Sequence, residues 1–157
     1  YEILIGLVGS EMCIRDRLKK RGSNPEDYVK GNENILYPKW EKGHYKGGIG
    51  EYDRLEQARK INREAADASA SWGMFQIMGF NYAACGEESI ESFVRSMCES
   101  EFKQLLLTAN FIKKNSQMLQ ALQARDWAVF AKCYNGPAYA QNRYDVKLEA
   151  AYQKYSL

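Results

Sequence analysis

The sequence predicts a mainly α-helical domain of the α+β class with one small loop and hairpin lobe. Two observations carry this. Apolar residues recur at three and four residues over most of the chain after Tyr52, the period of a helix face. The stretch before it holds the glycine-rich run Gly43 to Gly50, which reads as loop or irregular hairpin. A length of 157 residues suits one domain with a real core, and 45% apolar with 27% charged residues is ordinary for a globular chain.

Residues 1–17 stand apart from this pattern. Tyr1 to Arg17 has no initiator Met, and it lacks the basic start and small-residue cleavage site of a signal peptide. As a strand it would need partners that the later sequence scarcely offers. The stretch resembles a translated sequencing-adapter artefact. The domain is therefore expected to occupy 18–157, without the natural residues that preceded Leu18.

Leu18 to Gly22 reads as the last turn of a helix, with basic residues at its negative end and Gly22 as its stop. Asn24-Pro25-Glu26-Asp27 is a turn or short helix start. Ile35 to Pro38 and the glycine-rich run form the loop lobe. Tyr52, Leu55, Ala58, Ile61 and Ala65 predict one helix, with Glu64 and Asp67 on its solvated side. Ser89 caps a second stripe of Ile90, Phe93, Val94 and Met97. Ser100 caps a third of Phe102, Leu105, Leu106, Ala109 and Ile112, ending at Lys113-Lys114-Asn115. Met118, Leu119 and Leu122 mark a fourth. Asp126 caps a fifth with Trp127, Phe130, Ala131 and Tyr134, stopped by Gly136-Pro137. Tyr144, Leu148, Ala151, Tyr152 and Tyr155 form the last.

Composition excludes several functions. A net charge of +2 lacks the basic stripe expected of a nucleic-acid binder. No apolar run reaches the length of a membrane span. One histidine, His44, and four scattered cysteines without a C-x-x-C pair give no zinc spacing, and no cofactor is implied. Cys13, Cys85, Cys98 and Cys133 read as buried free thiols, with disulfides as the alternative. Aromatics at 13%, eleven of them tyrosines, suit either a sugar-binding groove or helix interfaces with wet hydroxyls.

Two segments carry more than packing. In Ala68 to Tyr82 a lone amide, Gln76, stands between large apolar residues. Left unsatisfied in a core it would cost about 1–3 kcal/mol, so it either bonds to backbone or meets a polar ligand. Tyr134-Asn135-Gly136-Pro137 is, taken alone, a helix C-terminus.

In this order, inside a helical domain, the two resemble motifs of the lysozyme-like superfamily. The match to the N-acetylmuramidase family of phage endolysins and bacterial wall hydrolases is closer. Glu51-Tyr52-Asp53-Arg54-Leu55, the run Ser69 to Tyr82, and Tyr134 to Tyr144 each resemble a motif of that family. The resemblance implies a lysozyme-like helical fold. It also implies hydrolysis of the β-1,4 bond between N-acetylmuramic acid and N-acetylglucosamine in peptidoglycan, the expected partner. Ser71, Gln76, Tyr134 and Asn135 become the expected groove residues. A monomer made in the cytoplasm and acting on the wall or periplasm is the expected state. A lytic transglycosylase, or a peptidoglycan-binding fragment without catalysis, are the alternatives.

Such cleavage needs a carboxylic acid, kept protonated by apolar surroundings, to protonate the leaving oxygen. The family carries it in a Phe-Glu-x-His motif just ahead of the segment matching Leu18-Lys19-Lys20, and this chain has no such motif. Glu11 stands near that place as a positional stand-in only. Glu51 and Asp53 open a helix, where acids also favour the dipole, and either could position a water. Glu51 is the second catalytic candidate.

Overall fold

Helix α1 (Ile14–Lys20) begins four residues ahead of the boundary expected at Leu18. Ile14 and Leu18 lie one turn apart on a single face, and both are buried. The helix ends in a Schellman motif: Gly22, at φ +76°, donates its N–H to Lys19, and Ser23 donates to Leu18. The computed structural model describes residues 6–7, 14–37, 44 and 47–156, with the backbone alone at 6–7. Glu11 lies outside the described residues, as does Cys13. Truncation of Ile14 to Ala should cost roughly 2–5 kcal/mol, the range for emptying a buried aliphatic site, and a denaturant titration reads this directly.

The chain divides into two compact units, Tyr1–Thr108 and Ala109–Leu157. In the first, a 3-10 turn at Pro25–Tyr28 follows α1, with the Asn24 side chain accepting from the Glu26 N–H. Ile35, Leu36 and Tyr37 are buried, and they sit in turns rather than in a hairpin. One apolar stripe through Tyr52 to Ala65 was expected to be a single helix; it is two, α2 (Gly50–Ile61) and α3 (Arg63–Ser69). Asn62 is extended at the break, and its side chain accepts from the Ala65 N–H at 2.8 Å, capping α3.

The sheet comes from an unexpected place. Strand β2 (Ala70–Trp72) pairs antiparallel with β3 (Ile77–Met78) and, on its other side, with β1 (Gly6–Leu7) in the register Gly6 to Ser71 and Leu7 to Ala70. A partner for the N-terminal segment thus exists, supplied by the motif segment itself. Helix α4 (Ile90–Glu99) follows the expectation, with a capping box at Ser89 and Ser92 and with Ile90, Phe93 and Met97 buried.

Helix α5 (Glu101–Lys114) turns a different face inward than its apolar stripe suggested. Phe102 is 71% exposed, and Leu105 and Leu106 are exposed with it, whereas Gln104, Leu107 and Thr108 are buried. Asp67, expected in solvent, is also buried, while Glu64 is exposed and paired with Arg21. Cys98 and Cys133 are free thiols, and Cys98 is exposed, against expectation. Cys85 is buried, and desolvation pushes its thiol up to about 12.

In the second unit α6 (Ser116–Ala124), α7 (Trp127–Asn135) and α8 (Tyr144–Tyr155) pack around Met118, Ala121 and Phe130. Asn115 and Asp126 cap α6 and α7. Helix α8 buries no residue fully; Leu148 is partly buried against the cluster, and Tyr155 is exposed. Among the described residues no helix is long and apolar enough to cross a membrane.

Candidate glycan-binding site

The motif Ser69 to Tyr82 forms the β2–β3 hairpin and the 3-10 turn Gly79–Asn81 after it. Its base is rigid. Trp72 is buried, and its indole N–H donates to the Asp67 carbonyl at 2.9 Å. Asp67 accepts from Arg59 Nε at 2.7 Å, and Arg59 also pairs with Glu56 at 2.6 Å. Burial raises the Asp67 carboxyl, opposed by Arg59, so the pair fixes α2 to α3 beneath the hairpin. Gly79 packs so closely that a Cβ there would lie 2.1 Å from the Asp67 carbonyl oxygen. No other residue fits at that position without displacing backbone.

The hairpin tip is exposed and strained. Gly73 stands at φ +70°, and Gln76, a non-glycine residue, at φ +53°. The left-handed region costs a side-chain-bearing residue about 1–3 kcal/mol, and such strain clusters at ligand sites. The turn closes through the Gln76 N–H to the Gly73 carbonyl at 3.1 Å. The Gln76 amide group donates to the same carbonyl at 2.9 Å, and its oxygen accepts from Ser71 Oγ at 2.8 Å. Gln76 is therefore not a core amide. It is exposed, and its carboxamide is oriented by a buried serine on β2. Ser71 itself acts through Gln76, since its side chain is buried.

Glu51 lies elsewhere in this unit, at the start of α2. It is 3% exposed and paired with Arg54 at 2.7 Å, and its other oxygen accepts from the Gly47 N–H at 3.2 Å. Arg54, equally buried, also donates to the Asn34 carbonyl at 3.2 Å. These bonds join two turns of the loop lobe to α2. A carboxylate held by a guanidinium and a backbone N–H is arranged to accept hydrogen bonds and to anchor. Asp53, its neighbour, is exposed.

Tyr134 and Asn135 end α7 in the second unit. The Tyr134 ring stacks on Phe130 at 5.7 Å and meets Phe111 edge-on at 5.9 Å, which fixes the ring from two sides. Asn135 is exposed, and Gly136 at φ +85° turns the chain away after it. Gln104, which the apolar stripe of α5 concealed, is a buried amide bonded to the hairpin at Met74. The signal that singled out Gln76, an amide within an apolar run, was present at Gln104 as well. Among the described residues no group of His, Cys, Asp and Glu is placed to hold a metal ion.

The fold is mainly helical with a short three-stranded sheet, and a solved structure shares it. The N-acetylmuramidase family model matches residues 11–156, and the chain belongs to that family. The solved structure of a Burkholderia AP3 phage endolysin is similar, with a TM-score of 0.81 and 37% sequence identity. The likeness covers 99% of this chain and 56% of the endolysin chain, so this chain spans little more than half of that protein. No curated protein matches the chain.

Proposed function

We propose that this chain binds the glycan strands of peptidoglycan at the cell wall and carries the glycan-binding residues of an endolysin-like N-acetylmuramidase, an enzyme that cuts the β-1,4 bond between N-acetylmuramic acid and N-acetylglucosamine. The observation that carries the reading is the strained turn at Gln76, an exposed residue whose carboxamide is held by Ser71 and Gly73 on a buried base. An amide fixed in this way matches the N-acetyl and hydroxyl groups of amino sugars, which need both a donor and an acceptor. In the second unit the exposed Asn135 and the fixed ring of Tyr134 are proposed as sugar contacts on the family resemblance. Glu51 anchors the loop lobe, and proton donation belongs at the position where Glu11 stands.

Replacement of Gln76 or Asn135 by alanine should weaken binding to purified peptidoglycan about ten-fold, the loss of one or two hydrogen bonds, with the melting temperature nearly unchanged. Unfolding of both variants, or unchanged binding by both, would contradict the assignment. A second reading, a wall-binding chain without catalysis, is favoured by one specific observation: the Phe-Glu-x-His motif is absent from the sequence.

A further inference from the structure

Gln104 sits on the inner face of α5, 5% exposed, with both ends of its carboxamide used. Its oxygen accepts from the Met74 N–H at 2.9 Å, and its NH2 group donates to the Met97 carbonyl at 2.8 Å, near the end of α4. Thr108 Oγ1 donates to the backbone carbonyl of Gln104 at 2.8 Å. The hairpin tip rests directly on this amide. A Cβ on Gly73 would lie 2.8 Å from Gln104 Oε1 and 3.1 Å from Met97 Sδ. An apolar residue at 104 could fill the space, but only a carboxamide satisfies the Met74 N–H and the Met97 carbonyl together.

We infer that Gln104 is a positioning residue for recognition of N-acetylated amino sugars: by holding the Met74 N–H it fixes the Gly73–Gln76 turn, and so the direction in which the Gln76 amide meets the glycan. The inference rests on the reading of Gln76 as a glycan contact. A residue that only stabilises the core would lower the melting temperature whatever stands at position 76. A positioning residue acts on binding through Gln76, so its effect disappears when Gln76 is gone.

The test compares Gln104→Met, Gln76→Ala and the double variant for affinity to purified peptidoglycan, with hydrogen exchange at the Met74 amide followed in each. Gln104→Met should speed Met74 exchange and weaken binding about ten-fold, the size of one lost charge-neutral bond pair. In the Gln76→Ala background it should weaken binding no further, the signature of coupled residues. Gly73→Ala is the second variant, straining the same turn at φ +70° and pressing on the Gln104 amide without replacing it, and it should show the same non-additivity. Unchanged Met74 exchange, or an equal loss of binding in both backgrounds, would overturn the positioning role while leaving Gln76 as a contact. Faster Met74 exchange together with full binding by Gln76→Ala would instead overturn the contact itself, and the positioning role with it.

Discussion

Suspensions of purified peptidoglycan should stay turbid with this chain and clear when the family's Phe-Glu-x-His motif is placed ahead of Leu18. This is the largest effect expected. Proton donation to the leaving oxygen typically supplies about 10²–10⁴-fold in rate, and the sequence holds no such motif to provide it. A general acid must keep its proton near neutral pH, which needs an apolar wall and no adjacent cation. Glu11 is followed in the sequence by Arg15 and Arg17. Arg15 pairs with Glu26, and Arg17 lies over the Phe80 ring at 4.1 Å, so both cations are fixed close to the start of α1. Strong lysis by the unaltered chain, lost in Glu11→Gln, would show that Glu11 is the acid.

The second large effect is on stability. Arg54→Leu should cost about 3–5 kcal/mol, because it takes the guanidinium away from the buried Glu51 carboxylate while the loop lobe loses its tie through Asn34. For a domain of this size that is a drop of roughly 10 °C in melting temperature. Glu51→Gln should destabilise in the same direction, since Arg54 then stands buried without its counter-charge. If Glu51 were instead the catalytic acid, Glu51→Gln would abolish lysis by the motif-restored chain and leave its melting temperature intact. Thermal melts of the two variants, read beside turbidity, separate anchor from acid.

Elements bounded by local chemistry were legible in the sequence. The capping box of α4, the Asp126 cap of α7 and the Gly22 stop of α1 each depend on residues within one turn. What escaped depended on residues far apart in the chain. Phe102, Leu105 and Leu106 make the better stripe on α5, yet the inward face is chosen by Gln104, whose partners lie on the hairpin and at the end of α4. Glu51 read as an acid at a helix start; it is buried with Arg54, and turns at Asn34 and Gly47 bond to the pair. Asp67 is drawn inside by Arg59. The β1 pairing could not be anticipated from a segment of such odd composition, because a two-residue strand has no periodicity to read. Within the site, Gln76 announced itself as a polar residue in an apolar run. Its left-handed backbone, the feature that presents it to solvent, had no glycine to mark it.

A peptidoglycan-cleaving site of the muramidase kind is tested most directly by the chemistry of the cut ends. Purified peptidoglycan would be digested with the motif-restored chain and the released fragments examined by mass spectrometry after borohydride reduction. Hydrolysis on the muramic side leaves N-acetylmuramic acid with a free reducing end, which borohydride converts to the alcohol. Reduced muramic acid ends are expected, formed at a rate that falls with Gln76→Ala. Fragments ending in 1,6-anhydro muramic acid, or in reduced N-acetylglucosamine, would contradict it.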